Sequence, residues 1–481
     1  MSQASSIRTG EVVRMNRAII NFDRSTLDNI HQFSLDLLAD TGVRFSSRKA
    51  LDIFSARGFK IHDDIVRFDR KSIETALETV PETFSVEARN PDKSITIGKD
   101  QYQMAPGYGP PFIVEPSGEK RHALLADAHL FYKLVHTSDY LDFNSSLVVQ
   151  PHDVPAESAH LDLLLAALTL TDKPIMGSST SEQAALDSIR MAEIVWGSLK
   201  HPVMISLINS LAPLQFAEEM IDALMVFASS GQPVIIHSGC ILGTTGPITI
   251  PGSLVITNAA TLAGICLTQL VRPGTPVVYG VSGSPTDMRT GGYVNGSPED
   301  VKHVAIAPAM GRYYGIPSRS HGAVTESFCL DYQAGMESAM MLTTAAISGA
   351  HVGLHACGTY GSMLAMSFEK FMADEELCGA IKKILEPVSF TEDDFAMELI
   401  RKVGLCGSYL VQDHTLQRCR SEFFLPKLSI RKDHDSWRQM ENREMTARAS
   451  QYVKERIAAY QQPVLETSIT KALEQYMESR R

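Results

Sequence analysis

From about Asp127 onward, short apolar runs alternate with longer stretches that have helical periodicity. Apolar runs of this kind are typical of parallel strands that helices cover on both faces. Seven runs fit the description: Phe143–Gln150, Pro174–Ser178, Val203–Ile208, Val234–Ser238, Pro276–Val281, Pro317–His321 and His351–His355.

A closed barrel of this kind has eight strands, one more than the runs supply. The missing strand falls either around Met104–Ile113 or near Ser408–Val411, and the pattern does not decide between them. An open doubly wound sheet would give the same rhythm, but no phosphate-binding glycine-rich turn follows the first strand. We therefore expect an α/β fold, a (β/α)8 TIM-type barrel.

Three parts of the chain differ in pattern. Residues 1–125 are predicted to form a loosely held arm of about 21 residues and then an α+β cap. Its helices start at Ser25 and Thr26, at Ser46 and Ser47 and at Asp69, and β structure follows over Phe84–Ile97. Residues 126–430 form the expected catalytic barrel. Residues 431–481 are rich in charge and in helix-forming residues, which predicts a C-terminal helical extension that packs on the barrel or on a second subunit. We expect a homo-oligomer.

Charge and hydropathy exclude several classes of protein. The net charge of −11 argues against a nucleic-acid partner. The N-terminal residues have no apolar core, as a signal peptide would. The stretch Ala223–Val271 contains no Lys, Arg, Asp or Glu, but its prolines and glycines favour a buried strand, loop and helix over a membrane span. The seven cysteines form no CxxC pair, which is typical of reduced thiols. These features predict a cytoplasmic protein that does not bind membranes.

Candidate site residues lie where the predicted strands end, because a parallel barrel carries its active site at the C-terminal ends of its strands. The candidates are Tyr108, Phe112, His237, Tyr279, Arg319, His321, His355, Tyr360 and Phe368. Arg319 and His321 share one face, since strand side chains alternate.

This inventory combines aromatic rings with cations. A trimethylammonium group cannot donate hydrogen bonds, and an aromatic face holds it with about 2 kcal/mol per contact once water is excluded. A carboxylate is best held by the planar fork of an arginine. The set therefore suits a zwitterion, with Tyr108, Phe112, Tyr279, Tyr360 and Phe368 as candidates for an aromatic cage.

A structural interpretation of the same residues stays open. Arg319 could pair with an acid such as Asp287 or Glu326, and the three histidines could be core residues with satisfied hydrogen bonds.

One segment, Ile316–Glu337, carries a family resemblance. Its strand end Pro317-Ser318, its turn at Gly322 and the helical pattern Asp331-x-Gln333-Ala334-Gly335-x-Glu337 resemble the trimethylamine methyltransferase family, the corrinoid-dependent methylamine methyltransferases. The resemblance runs from about Phe22 to about Arg420. Further matching pieces are Thr257–Ala259, Gln269–Leu270, Pro273–Gly274, Tyr279–Gly280, Gly296–Pro298 and Met366–Glu369.

The resemblance implies methyl transfer from a methylated amine to the Co(I) of a corrinoid on a separate small protein. The founding members carry pyrrolysine in the turn, and the matching position here is Val324. Valine places the chain in the non-pyrrolysine branch, where it is most similar to members that act on glycine betaine. A quaternary nitrogen is already charged, and its leaving group is a neutral tertiary amine, here dimethylglycine, so no covalent activation of the substrate is needed.

The chain has no corrinoid-binding Asp-x-His-x-x-Gly motif, so we expect no tightly bound cofactor or metal, and a corrinoid held by the partner. Proline betaine and carnitine remain alternative substrates. A zinc-dependent methyltransferase using His355, Cys357 and Cys378 is an alternative mechanism. A non-catalytic betaine-binding protein is an alternative of another class.

Overall fold

The computed structural model describes residues 12–13 and 22–480, so the predicted arm over residues 1–21 lies largely outside the described residues. Within these residues a sheet of seven parallel strands forms the centre of the fold. In chain order the strands are β1 Gln103–Met104, β2 Ile175–Met176, β3 Met204–Asn209, β4 Val234–Leu242, β5 Val277–Pro285, β6 Ser318–His321 and β7 Val352–Leu354. The order across the sheet is β2-β3-β4-β5-β6-β7-β1, and every neighbouring pair is parallel.

An extended segment at residues 142–144 joins the two edges of this sheet. The Asp142 N–H donates to the Met104 carbonyl at 2.9 Å. On the other side Asn144 bonds to the carbonyl of Pro174 at 2.9 Å and to the N–H of Met176 at 3.1 Å. The segment therefore closes the sheet into a barrel. The strand predicted over Phe143–Gln150 is not formed as such, since only the extended residues 142–144 bridge the two edges. The strand missing from the pattern is β1, in the first of its two candidate places, whereas Ser408–Val411 lies outside the barrel.

Each strand, including the closing segment, is followed by one helix within residues 22–480. These helices are Leu125–His136, Ala159–Leu170, Glu182–Trp196, Glu218–Ser229, Ile250–Val271, Pro298–Tyr314, Tyr332–Ile347 and Phe368–Leu385. Ile250–Val271 is the one described helix that is long and apolar enough to cross a membrane, but most of its residues are buried inside the fold. The prediction of a (β/α)8 TIM-type barrel is confirmed.

An antiparallel hairpin, Phe84–Val86 with Ile95–Ile97, covers the N-terminal end of the barrel. Its inward side chains belong to one buried cluster with Ile205, Ile235 and Val278 of the barrel interior. The Glu87 N–H also donates to the carbonyl of Pro202, just before β3. Because this end is filled, a cavity in the barrel can open only at the C-terminal ends of the strands.

The cap packs directly on the barrel. It contains the helices Arg24–Asp40, Arg48–Ala56 and Arg70–Thr79 and the strands Val43–Phe45, Lys60–His62 and Ile65–Arg67. Ser47 and Asp69 accept the N-cap bonds of their helices, which confirms two of the three predicted starts. The first helix begins earlier than predicted, at Arg24 after Asp23, so Ser25 and Thr26 lie inside its first turn. A short strand that follows β3, Gln215–Phe216, joins the cap sheet, and the Phe45 and Phe216 rings stack at 5.4 Å.

The remaining described elements lie over the open end or on the outside. The strands Phe112–Val114, Lys120–His122, Thr359–Tyr360 and Ala365–Met366 form a second sheet, Val12–Val13 pairs with Val388–Ser389, and Pro91–Lys93 is a short 3-10 turn. The C-terminal helices are Met397–Val403, Asp413–Glu422, His434–Arg438, Met445–Ala459 and Thr467–Arg480. The predicted extension packs on the barrel, since Arg456 pairs with Glu375 and donates to the Leu134 carbonyl at 2.6 Å.

One buried ion pair ties the loops of the open end to the outer helices. Lys370 and Asp374 lie one turn apart, and Lys370 Nζ is 2.5 Å from Asp374 Oδ2. Lys370 also donates to the Ala323 carbonyl after β6 and to the Ser338 hydroxyl, and Asp374 accepts the Gly358 N–H.

We expect Asp374→Leu to lower the free energy of unfolding by about 3–5 kcal/mol, because it leaves a buried ammonium without its counter-ion. The double variant Lys370→Met with Asp374→Leu should recover most of that loss. Urea unfolding of both variants measures the difference. If the free energy of unfolding of Asp374→Leu is within about 1 kcal/mol of the wild-type value, the ion pair contributes little to stability.

Candidate functional site

A cavity of about 350 Å³ opens at the C-terminal end of the barrel, opposite the hairpin. Its walls come from β3 to β7 and from the loops that follow the strands. The lining residues are Tyr108, Leu207, Asn209, Ser210, His237, Gly239, Cys240, Ile241, Ser282, Tyr293, Arg319, His321, His355 and Met363. This is where a parallel barrel carries its active site.

Arg319 is the charged group of this cavity. It is 2% exposed, and neither its Nε nor its Nη1 has a hydrogen-bond partner. Burial lowers the pKa of Arg319 to about 10, so the guanidinium stays protonated at neutral pH. Buried arginine donors are normally paired. The unpaired donors on the cavity wall therefore suit an anionic ligand, and their planar fork suits a carboxylate.

The structural alternative for Arg319 is absent from residues 22–480, where no ion pair includes it. Asp287 pairs instead with Arg289 at 2.8 Å. Glu326 accepts hydrogen bonds from the backbone of Asn295 and Ser362. The two acids that could have neutralised the guanidinium are thus engaged elsewhere.

Three histidines form a row across the cavity. The ring centroids of His237 and His321 are 6.0 Å apart, as are those of His321 and His355. The loops after β6 and β7 pack closely here, since a Cβ on Gly322 would lie 2.5 Å from the backbone of Ala356. This close packing explains why a glycine follows His321.

Hydrogen bonds orient two of the three rings. The Nδ1–H of His237 donates to Asn209 Oδ1 at 2.9 Å, and Nε2 accepts from the Ser282 hydroxyl at 3.0 Å. His355 Nδ1 accepts the Tyr108 N–H at 3.3 Å. Both ring nitrogens of His321 are buried and lack a partner. His321 can therefore still bind a ligand or water.

All three rings are uncharged at neutral pH. Burial, followed by the charge of Arg319, lowers the pKa of His355 to about 3. The same two causes hold the pKa values of His237 and His321 well below the usual range. The cavity thus presents one fixed cation and three neutral rings.

Strand register sets the depth of these groups. His237, Gly280 and Arg319 lie side by side across β4, β5 and β6. His321 lies two residues further along β6, about 6–7 Å closer to the open end. An anion on Arg319 would therefore sit deep in the cavity, and the rest of the ligand would extend past His321 towards the opening.

Five of the nine predicted residues meet at this cavity: Tyr108, His237, Arg319, His321 and His355. The other four do not line it. Tyr279 points outward and donates to Asn258 of the Ile250–Val271 helix at 2.8 Å, because strand side chains alternate between the two faces. Phe368 stacks on Phe131 at 4.3 Å, outside the strands.

Phe112 and Tyr360 belong to the second sheet. Phe112 packs on His122 and under Lys120, and Tyr360 is buried with Val114 and Ala365. Four of the five rings that are candidates for the aromatic cage therefore lie outside the cavity. Tyr108 remains, and Tyr293, which the sequence did not single out, supplies a second ring.

Val324, the position that matches pyrrolysine, is buried in the main core and is not part of the cavity wall. Other lining residues were also missed. Ser282 was detectable by alternation, since it lies two residues after Gly280 on β5. Tyr293 lies in the loop eight residues past β5, where no pattern fixes a side chain's direction.

The residues proposed for zinc do not assemble. Cys357 and Cys378 are buried with their sulfur atoms 3.7 Å apart, and burial, with the adjacent Cys378 thiol, raises the pKa of Cys357. His355 is engaged with the Tyr108 backbone instead. Among the described residues, no three His, Cys, Asp or Glu side chains are arranged to hold a metal ion.

Exposed apolar side chains occur around the opening, in the loops and at the start of one helix, and we call them the apolar rim. They are Leu211 after β3, Ile248 after β4, Met288 after β5, Phe328 and Tyr332 after β6, and Leu364 after β7. Tyr332 is 84% exposed and Met288 is 73% exposed. Apolar groups concentrated at one end of a barrel mark a surface for another molecule.

Comparison with known proteins agrees with this architecture. The protein is 37% identical to the glycine betaine methyltransferase of Desulfitobacterium hafniense (strain Y51), over 94% of this chain and 95% of that protein. It is 32% identical to the proline betaine:corrinoid methyltransferase of Eubacterium limosum, over 93% and 95% of the two chains.

The crystal structure of the Methanosarcina barkeri monomethylamine methyltransferase (MtmB) shares the fold. It superposes with a TM-score of 0.55 at 12% sequence identity, covering 93% of this chain and 90% of that one. The family model for trimethylamine methyltransferase (MTTB) matches residues 2–481. The chain therefore belongs to the trimethylamine methyltransferase family.

Proposed function

We propose that this protein removes a methyl group from glycine betaine, leaving dimethylglycine, and passes it to a corrinoid carried by a separate protein. The observation that carries the proposal is the unpaired guanidinium of Arg319, which faces the same cavity as three uncharged imidazoles. Two relatives are named for glycine betaine and proline betaine, and both compounds have a quaternary nitrogen and a carboxylate. These names support a substrate of the same class.

The depth of the groups orients the substrate. The carboxylate would accept two charge-assisted hydrogen bonds from Arg319 at the inner end. The trimethylammonium group would then lie beside His321 and His355, with the Tyr108 and Tyr293 rings in the same walls. A cation is stable against neutral rings and would be repelled by charged ones, so the lowered histidine pKa values matter for binding. The methyl groups would face the opening.

This arrangement needs no acid or base. The nitrogen of glycine betaine is permanently charged, and the described residues that line the cavity include no Asp or Glu. The protein would act by holding the C–N bond towards the opening and by excluding water. Valine at position 324 fits a family member that does not need pyrrolysine.

The corrinoid fits on the partner rather than on this chain. A cavity of about 350 Å³ has room for a betaine but not for a corrinoid ring, and the chain lacks the Asp-x-His-x-x-Gly motif. When docked, the partner's Co(I) corrinoid would supply the nucleophile. The apolar rim provides a docking surface around the opening. We place the reaction in the cytoplasm, with no nucleic acid, membrane or resident metal involved.

The protein also has a candidate surface for self-association. Residues 388–425, the apolar arm, include two helices with no buried residue. Twelve large apolar side chains in the arm are exposed: Val388, Phe390, Phe395, Met397, Ile400, Leu405, Tyr409, Leu410, Val411, Leu416, Phe423 and Leu425. A stable interface buries about 800 Å² per partner, which so many large side chains can supply. A homo-oligomer that buries this arm is therefore part of the proposal.

The proposed reaction is tested with purified protein, a reduced corrinoid protein and a panel of quaternary amines. We expect glycine betaine to change the cobalt spectrum and to yield one dimethylglycine per cobalt. A faster reaction with proline betaine or carnitine would show that this compound, and not glycine betaine, is the substrate. Bound betaine that is released unchanged would instead identify a binding protein.

The role of Arg319 is tested with Arg319→Leu. Loss of the carboxylate contact should weaken glycine betaine binding by about 3 kcal/mol, or about 100-fold in Kd. Choline, which has no carboxylate, should bind at least as well as before. Calorimetric titration measures both. Arg289→Leu, in the exposed loop after β5, is the matched control, and equal effects of the two substitutions would refute the assignment.

The oligomer is tested by light scattering. We expect more than one chain per particle, and the double variant Leu410→Glu with Leu416→Glu should shift the particle towards the monomer because it puts charge into an apolar interface. Gln417→Glu, on the same helix, should leave the mass unchanged. A wild-type mass of one chain would contradict the proposal.

A further inference from the structure

A buried acid lies behind the cavity wall, next to Arg319. Asp300 is in the first turn of the Pro298–Tyr314 helix, and its side chain is inaccessible to solvent. Its Oδ2 accepts the Gly296 N–H at 3.1 Å, whereas its Oδ1 has no partner. The hydrogen bonds of the fold therefore satisfy only half of this carboxyl group.

Asp300 is connected to the cavity through the Ser284 side chain and by charge. Tyr293, which lines the cavity, donates to Ser284 Oγ at 3.1 Å, and Ser284 in turn favours the charged form of the Asp300 carboxyl. Asp300 and Arg319 also interact electrostatically, each favouring the charged form of the other. A ligand that brings charge to Arg319 will therefore shift the pKa of the Asp300 carboxyl.

Two of the titratable groups around Asp300, His303 and Tyr293, keep a fixed charge near neutral pH. Burial lowers the pKa of His303, on the same helix, to about 4, and raises the pKa of Tyr293. Burial also raises the pKa of Glu326, in the loop after β6, and the bonds that it accepts from the Asn295 N–H and from Ser362 oppose this shift. Burial raises the pKa of Asp300 itself to about 7. Asp300 is thus a fully buried group of this cluster that can change its protonation near neutral pH.

We propose that Asp300 takes up a proton when the carboxylate of the substrate binds to Arg319. The inference rests on the proposed function. In the free protein, Asp300 is the partial counter-charge of the guanidinium. A substrate carboxylate brings a second negative charge to the same buried cation, and two buried negative charges beside one positive charge are unfavourable. Protonation of Asp300 removes one of these negative charges. The substrate carboxylate then replaces the Asp300 carboxylate as the counter-charge of Arg319.

The proposal gives a definite pH dependence. A ligand that raises the pKa of a group binds more tightly where that group is protonated, so affinity falls as pH rises through 7. The Kd of glycine betaine should increase about fivefold to tenfold between pH 6 and pH 8. Choline brings no negative charge and should show no such loss of affinity. Asp300 therefore acts as a positioning residue that favours carboxylated substrates.

Calorimetric titration with glycine betaine in two buffers of different ionisation enthalpy, phosphate and imidazole, counts the protons taken up. At pH 7 the wild type should take up about half a proton per betaine bound. Asp300→Asn keeps an acceptor for Gly296 but cannot ionise, so its uptake should be zero and its Kd should not vary with pH. Glu299→Gln, an exposed neighbour in the same turn, should behave as the wild type.

The outcomes separate the two proposals. Betaine binding to the wild type without proton uptake overturns the role of Asp300 and leaves the proposed function standing. Unchanged uptake in Asp300→Asn overturns it as well. No betaine binding at all overturns both. If Asp300→Asn does not fold, the comparison of betaine with choline on the wild type still decides, because equal proton uptake with the two ligands contradicts the proposal.

Discussion

The structure depends on a buried positive charge, that of Arg319, which no ion pair among residues 22–480 neutralises and which Asp300 offsets only in part. Burying a guanidinium without a partner is unfavourable by several kcal/mol, and natural proteins accept this mainly where a ligand supplies the missing charge. Arg319 is held in that state on β6, in the middle of the barrel wall. The hairpin Phe84–Ile97 closes the far end of the barrel. A ligand can therefore reach the charge only through the open end.

The loops of the open end are held by polar contacts that leave the cavity free. Glu326 joins the loops that follow β5, β6 and β7, and Lys370 with Asp374 fixes the loops after β6 and β7 from behind. The hydrogen-bonded set Asn209, His237 and Ser282 fixes one imidazole without a carboxylate. These contacts keep Arg319 as the cation of a cavity whose other polar groups are neutral, which is what a zwitterion with a quaternary ammonium group requires.

Much of this architecture was predictable, because apolar runs and strand alternation are local properties of the sequence. Alternation placed Arg319 and His321 on one face, and the segment Ile316–Glu337 identified the family. The same alternation explains why one candidate ring of the aromatic cage lies outside the cavity. Tyr279 is one residue out of phase with the inward face of β5, so it bonds to Asn258 on a helix. Tyr293 and Asp300 reach the site from a loop and a helix end, and only the three-dimensional arrangement reveals them.

The central claim is that the cavity holds a betaine with its carboxylate inward and its methyl groups outward. A crystal structure of the protein with glycine betaine tests this most directly. The account predicts carboxylate oxygens about 3 Å from the Arg319 guanidinium and a trimethylammonium group beside His321 and His355, facing the opening. A ligand in the reverse orientation, or one bound away from Arg319, would contradict it.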